Sequence, residues 1–100
     1  MALVEEKKDP EGALEALRAA WGSIENETQR AKTLALAADA ETELGLIDAK
    51  NRKSHWQKAY RNYSSSLSIN SKSKETRIKM NKLASMMDEE SISLGLGFQM

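Results

Sequence analysis

The chain has 100 residues, 40% of them hydrophobic and 30% charged, which predicts one globular domain rather than a disordered polypeptide. It has no cysteine, which excludes disulfides and thiolate metal sites, and no run of about 20 apolar residues that would cross a bilayer. The net charge is zero, yet residues 1–49 carry eleven acidic and five basic side chains, whereas residues 50–82 carry ten basic and one acidic. The first ten residues lack the features of a secretory signal, so we expect a cytoplasmic protein with no membrane association.

The first half of the chain predicts two amphipathic helices. Asp9 suits an N-cap and Pro10 suits the first helical position, which predicts a helix over 10–24 after a flexible segment 1–9. Asn26 suits the cap of a second helix over 27–46, which we expect Gly45 and the polar residues after it to end. This second helix shows two apolar faces, so we expect it to pack between neighbouring helices.

The second half predicts two more helices. The sequence SHWQ matches a capping box, with Ser54 as the cap and Gln57 at the third position, and predicts a helix over 54–69. Its apolar stripe consists of Trp56, Ala59, Tyr60, Tyr63 and Leu67. A fourth helix is predicted over 73–92, followed by residues 93–100 as a frayed end or an interface tail. The expected fold is a single all-α domain over 1–100, with four antiparallel helices packed as helical hairpins.

The second and third predicted helices resemble a tetratricopeptide-type hairpin over residues 34–71. The resemblance lies in Leu44-Gly45 on the first helix and in Ala59, Tyr63 and Ser66 at the small-aromatic-small spacing on the second. Serine replaces both the last alanine and the closing proline of that family's pattern, and the connection is about two residues longer than a repeat of about 34 residues requires. The resemblance implies a fragment of a helical-hairpin solenoid that binds another polypeptide.

Basic and aromatic residues alternate along residues 50–70, a mixture that also occurs on nucleic-acid-binding surfaces. The aromatic side chains share one helical face while Lys58 and Arg61 fall largely on others, so we interpret the aromatics as core. The basic residues of segment 50–82 have three open interpretations: a solvated face, a surface for an acidic protein, or a phosphate-binding surface for nucleic acid. The candidate partner-binding residues are Lys50, Arg52, Lys53, Lys72, Lys74, Arg77, Lys79 and Lys82.

No catalytic constellation is evident in the sequence. His55 is the only histidine and is expected at the surface, and Asp39 and Glu43 are expected on a solvated acidic face. A general acid or base needs a partner and a pocket, and the sequence indicates neither. We therefore expect no enzyme activity, no metal and no cofactor. The leading hypothesis is a non-catalytic protein-interaction module, and the alternative is a small nucleic-acid-associated protein that uses residues 50–82.

The sequence also predicts self-association. The fourth helix carries an apolar stripe and the tail is apolar. By the same resemblance, the first helix is similar to the second half of a preceding repeat and the fourth helix to the first half of a further one, so half a hairpin is expected to lie unpaired at each end of the chain. Together with the acidic first half and the basic 50–82 segment, this predicts a homodimer with two-fold symmetry. The residues expected at its interface are Met80, Leu83, Met87, Ile92, Leu94, Leu96 and Phe98.

Overall fold

The structure, a computed structural model, describes residues 9–92. Four α-helices occur in this range: α1 (Pro10–Trp21), α2 (Glu27–Ile47), α3 (Arg52–Ile69) and α4 (Lys74–Glu89). A short 3-10 turn, Ala49–Asn51, lies between α2 and α3. No strand occurs among the described residues, so the prediction of an all-α fold with four helices is confirmed.

Polar side chains cap three of the four helices, as the sequence patterns require. At α1, the Asp9 carboxylate accepts a hydrogen bond from the Gly12 amide at 3.0 Å, and at α2 Asn26 Oδ1 accepts from the Gln29 amide at 3.1 Å. Ser73 Oγ accepts from the Thr76 amide at 3.2 Å at the start of α4. Each cap accepts a hydrogen bond from an amide that has no partner within its helix. The three helices begin within one residue of the predicted positions.

The predicted capping box at Ser54 is wrong. The 3-10 turn leads directly into α3, which begins at Arg52 and therefore includes Ser54 in its first turn. The Arg52 side chain reaches back to the end of α2, where Nε donates to the Gly45 carbonyl at 2.7 Å and Nη2 to the Leu46 carbonyl at 3.3 Å. Arg52 thus pairs carbonyl oxygens that α2 leaves free at its C-terminus.

Two helices are shorter than predicted. α1 ends at Trp21 rather than at residue 24, and α4 ends at Glu89 rather than at residue 92. At the end of α4, Ser91 adopts a left-handed conformation (φ 59°), and the Ile92 amide donates to the Met87 carbonyl at 2.8 Å. This is the hydrogen-bond pattern of a Schellman motif, and it turns Ile92 back against the core.

The core forms where α2, α3 and α4 meet. Helices α2 and α3 run antiparallel, because their contacts pair Ala31 with Ser66 at one end and Thr42 with Trp56 at the other. The main cluster of buried side chains consists of Ala38, Trp56, Ala59, Tyr63, Leu83 and Met87, and a smaller cluster of Leu14, Ala40 and Leu44 attaches α1 to α2. The interpretation of Trp56, Ala59, Tyr63 and Leu67 as core residues is confirmed, while Tyr60 is only partly buried.

Gly45 does not end α2, contrary to the sequence-based expectation. The helix continues to Ile47, and Gly45 lies where the Trp56 ring crosses it. A β-carbon at this position would lie 2.2 Å from ring atoms of Trp56. Small residues also allow close approach at the other end of the pair, where the buried Ser66 hydroxyl donates to the Ala31 carbonyl at 2.6 Å. The spacing between α2 and α3 therefore depends on small side chains.

The predicted self-association surface is not exposed as expected. Leu83 and Met87 are 1% and 0% exposed, because α3 and α2 cover them within the same chain. Met80 and Ile92 are partly buried against the same core. Leu94, Leu96 and Phe98 lie outside the described residues, as do residues 1–8 of the segment expected to be flexible. Within residues 9–92, no helix has both the length and the apolar character that a membrane span requires.

Candidate interaction groove

A groove of about 790 Å³ runs between α1 and α4, with α2 as its floor. Side chains of α1, including Ala13 and Leu17, form one wall, and α4 forms the other with Lys82 and Met86. Because α1 packs on α2 whereas α4 packs mainly on α3, α1 and α4 leave the outer face of α2 open between them. We refer to this cleft as the α1/α4 groove.

The floor of the α1/α4 groove carries an apolar stripe that is exposed at its two ends, beside three polar side chains of α2. Leu36, Ala40 and Leu46 lie along one face of α2, and Leu36 and Leu46 are 47% and 51% exposed. At about 1.5 Å of rise per residue, these two leucines are about 15 Å apart along the helix. Large apolar side chains that are exposed within one cleft are typical of a binding surface, whereas single ones scattered over a surface are ordinary.

Asp39 joins three helices at the floor of the groove. Its Oδ1 accepts a hydrogen bond from the Tyr63 hydroxyl of α3 at 2.5 Å, and its Oδ2 lies 3.0 Å from Lys79 Nζ of α4. The expectation that Asp39 belongs to a solvated acidic face is therefore wrong. Because one carboxylate binds groups from both neighbouring helices, it fixes the position of the α4 wall relative to the floor.

The environment of Tyr63 disfavours its ionised form. Burial of the phenol raises the pKa of Tyr63 well above its usual value, and the adjacent Asp39 carboxylate raises it further by hydrogen bonding and by charge repulsion. The hydroxyl therefore stays protonated near neutral pH and acts as a donor to Asp39. Its role in this arrangement is structural, since a proton that is difficult to remove suits a fixed hydrogen bond rather than proton transfer.

Several of the predicted partner-binding cations make contacts within the chain. Arg52 donates to carbonyl groups at the end of α2. It also lies 5.4 Å from the centroid of the Trp56 ring and 3.6 Å from the Glu90 carboxylate. Arg77 Nη2 donates to the Ser71 carbonyl at 2.6 Å, and Lys79 pairs with Asp39. The structure thus gives these three residues roles in joining helices and connections.

The remaining predicted cations are exposed but lie apart. Lys50 and Lys53 lie near the start of α3, whereas Lys72 and Lys74 lie beyond its other end, so a helix of 18 residues separates the two pairs. At about 1.5 Å per residue, this is a distance of about 27 Å. Lys82 lies on the α4 wall of the groove, together with Lys79. The eight residues therefore do not form one continuous patch, and only Lys79 and Lys82 line the groove.

His55 is not the free surface group that the sequence indicated. Its Nδ1 lies 2.8 Å from Oε1 of the buried Glu41, and its Nε2 lies 3.6 Å from Asp48 Oδ2. Asn51 Nδ2 donates to the same Asp48 carboxylate at 2.9 Å, and this hydrogen bond is the main reason why the pKa of Asp48 is lowered. The histidine therefore connects α3 to α2 and to the connection between them.

The groove itself was missed, although its signal was present in the sequence. The sequence shows that α2 has two apolar faces, one with Ala31 and Ala38 and the other with Leu36 and Ala40. We expected neighbouring helices to cover both faces. The structure packs α3 on the first face, whereas α1 covers only Ala40 and Leu44 of the second face, so that Leu36 and Leu46 stay exposed.

Residues 9–92 contain no group of three or more His, Asp or Glu side chains arranged to hold a metal ion. No protein-family model matches the chain, and comparisons with curated proteins and with solved structures return no significant match. The resemblance to a tetratricopeptide-type hairpin therefore stays a prediction, and function must be argued from the groove.

Proposed function

We propose that this protein is a non-catalytic interaction module that binds an amphipathic helix of a partner protein in the α1/α4 groove. The observation that carries the proposal is the exposed Leu36–Leu46 stripe on the groove floor, flanked by two helices. Helix-in-groove recognition uses this arrangement, in which the apolar face of a partner helix covers an apolar floor.

The dimensions of the groove suit a short helix. The stripe from Leu36 to Leu46 is about 15 Å long, the length of about ten residues of α-helix. A segment with apolar residues at positions i, i+3 or i+4, and i+7 would cover the two exposed leucines. Such a helix would take up the empty position next to α2, between α1 and α4.

The charges along the α4 wall predict an acidic residue on the partner helix. Lys79 is already paired with Asp39, but Lys82 forms no ion pair among residues 9–92. An Asp or Glu beside the apolar face of the partner helix would pair with Lys82 at the rim of the groove. Because rim charges affect specificity and association rate more than affinity, this contact sets the orientation of the helix.

Selection from a displayed library of helical peptides tests the proposal. The wild-type chain is the bait, selection uses no groove variant, and the affinities of the selected peptides for wild type and for each variant are measured by fluorescence anisotropy. We expect peptides with an apolar i, i+4, i+7 face and an acidic flank, and binding at least about tenfold weaker to Leu36→Glu and to Leu46→Glu. Lys82→Glu should lower the association rate.

Ile78 provides the matched control, because it is 66% exposed on α4 but does not line the groove. Ile78→Glu should leave peptide affinity within about twofold of wild type, since an apolar residue away from the contact contributes little. Peptides that bind Leu36→Glu as tightly as wild type, or that lose binding to Ile78→Glu, would contradict the groove as the binding site.

We propose separately that the chain forms a homodimer, through a smaller interface than the sequence predicted. With Leu83 and Met87 buried, the predicted interface is reduced to Met80, Ile92 and the apolar positions of residues 93–100. Sedimentation equilibrium over a range of concentrations should show association of the full chain and loss of association on deletion of residues 93–100. A single species near 11.1 kDa at every concentration rules out the homodimer without bearing on the groove.

A further inference from the structure

A second cleft, of about 380 Å³, lies between α1 and α3. Apolar residues of α1 and α2, among them Leu14, Leu17 and Leu34, form its base. Three cations lie around it: Arg18 from α1, and Lys58 and Arg61 from α3. We refer to it as the α1/α3 cleft.

The arginines of this cleft differ from the other arginines of the chain. Three of the five arginines donate to backbone carbonyls: Arg30 to Ile24, Arg52 to Gly45 and Leu46, and Arg77 to Ser71. The other two, Arg18 and Arg61, both line the α1/α3 cleft. Neither they nor Lys58 forms an ion pair within residues 9–92.

The one carboxylate that lines this cleft offsets at most one of the three cations. Glu41 is 4% exposed, and its carboxylate is held by His55 Nδ1 at 2.8 Å. All three cations are exposed residues at the rim of the cleft, and like charges that line one cleft create a positive potential that attracts anions. The planar guanidinium groups of Arg18 and Arg61 match the oxygen geometry of phosphate and carboxylate groups.

We propose that the α1/α3 cleft binds a small aromatic phosphate ester of the nucleoside monophosphate class. A phosphate group carries up to two negative charges and presents three terminal oxygens, which suits three cations from two helices better than a single carboxylate does. The Trp21 ring lies at the edge of the cleft with 36% of its surface exposed, and the Arg30 guanidinium lies 5.3 Å from its centroid. Because Arg30 lies over one face of the ring, a flat base packs on the other face, beside the leucines of the cleft.

The volume of the cleft suits a small molecule better than a polypeptide partner. Small-molecule sites commonly have volumes of about 300–1,000 Å³, and the α1/α3 cleft lies near the lower limit. It has about half the volume of the α1/α4 groove. The two sites therefore suit different ligands, and the failure of one proposal does not affect the other.

Isothermal titration calorimetry of the full chain with AMP tests this site, with adenosine and inorganic phosphate as separate probes. We expect saturable AMP binding with a Kd below about 1 mM at low salt, weakening as salt is raised. Arg18→Gln and Arg61→Gln should each weaken AMP binding at least about tenfold, since each removes a charged hydrogen-bond donor. Lys53→Gln, an exposed residue of α3 outside the cleft, should stay within about twofold of wild type.

Circular dichroism of each variant confirms that the exposed substitutions leave the helices intact. Adenosine and inorganic phosphate should each bind at least about tenfold more weakly than AMP, because each lacks half of the recognised group. An absence of saturable binding of AMP at about 10 mM would overturn the proposal. Equal AMP affinity in wild type and both arginine variants, or adenosine or phosphate binding as tightly as AMP, would overturn it as well.

Discussion

The indole of Trp56 lies directly against Gly45, and its Nε1 donates to the Thr42 carbonyl one turn earlier on α2 at 3.1 Å. This contact sets the distance between α2 and α3, because a β-carbon on residue 45 would occupy the space of the ring. The large aromatic on one helix and the glycine on the other are thus a single packing unit.

Gly45→Ala should destabilise the protein by about 1–3 kcal/mol, because the added methyl group forces the Trp56 ring or the helices to move. Intrinsic helix propensity predicts the opposite sign, since alanine is favoured over glycine by about 1 kcal/mol inside a helix. Urea unfolding followed by circular dichroism measures which effect is larger. A stabilised Gly45→Ala variant would contradict the close packing.

Gly22 is the matched control for that substitution. It follows the end of α1 with an ordinary helical φ of −67°, and nothing lies within 4 Å of the position that a β-carbon would take. Gly22→Ala should therefore be neutral or should stabilise by up to about 1 kcal/mol, through the lower entropy of the unfolded chain. Loss of stability in both variants would show that the effect at residue 45 is not specific to Trp56.

Removing the Tyr63 hydroxyl should change how stability depends on alkaline pH. The pKa of Tyr63 is raised in the folded state above the value of 10.0 that an exposed tyrosine has, so the folded chain keeps a proton that the unfolded chain loses. This contribution is fully present below about pH 10 and is lost as pH rises above it, by up to about 1.4 kcal/mol per pH unit.

Urea unfolding of wild type and Tyr63→Phe at several pH values between about 9 and 11 measures that difference. The variant should be less stable near neutral pH by about 1 kcal/mol, through loss of the hydrogen bond to Asp39, and the gap should narrow as the pH rises. Tyr60→Phe keeps the Tyr63–Asp39 bond and should show the wild-type dependence. A difference in unfolding free energy between wild type and Tyr63→Phe that stays constant with pH would contradict a raised pKa of Tyr63 in the folded state.

Leu83→Ala should reduce the free energy of unfolding by about 2–5 kcal/mol, because it leaves a cavity at a side chain that is 1% exposed. Ile78→Ala on the same helix should change it by about 0.5 kcal/mol or less, since Ile78 is exposed. Thermal or urea unfolding of the two variants compares them directly. Equal, small effects would indicate that Leu83 is exposed, as its predicted place at the self-association interface requires.

The sequence predicted the elements of this fold better than the relations between them. Caps and apolar spacing are local signals, so the four helices and the buried face of α3 followed from the residues themselves. The face of α4 was also recognised as apolar, but nothing local shows which neighbour covers Leu83 and Met87. An apolar stripe that contacts its own chain looks the same in sequence as one that contacts a partner.

Long polar side chains were hardest to place from sequence. Arg52, His55 and Asp39 each bind a group on another element of the fold. The separation in sequence ranges from seven residues, between Arg52 and Gly45, to forty, between Asp39 and Lys79. Periodicity assigns such residues to a face but gives no information on the carbonyl or carboxylate opposite them. The α1/α3 cleft was missed for the same reason, because Arg18 and Arg61 approach it from helices far apart in the sequence.

The most direct test of the central claim is an NMR titration of the ¹⁵N-labelled chain with a helical peptide selected for binding. If the α1/α4 groove is the site, amide shifts should concentrate on Leu36, Ala40 and Leu46 of α2, and on Ala13 and Met86 of the two walls. Amides around the exposed Ile78 and around Arg61 in the α1/α3 cleft should stay unchanged. A peptide that binds and shifts the α1/α3 cleft or the exposed face of α4, but leaves Leu36 and Leu46 unchanged, would contradict the account.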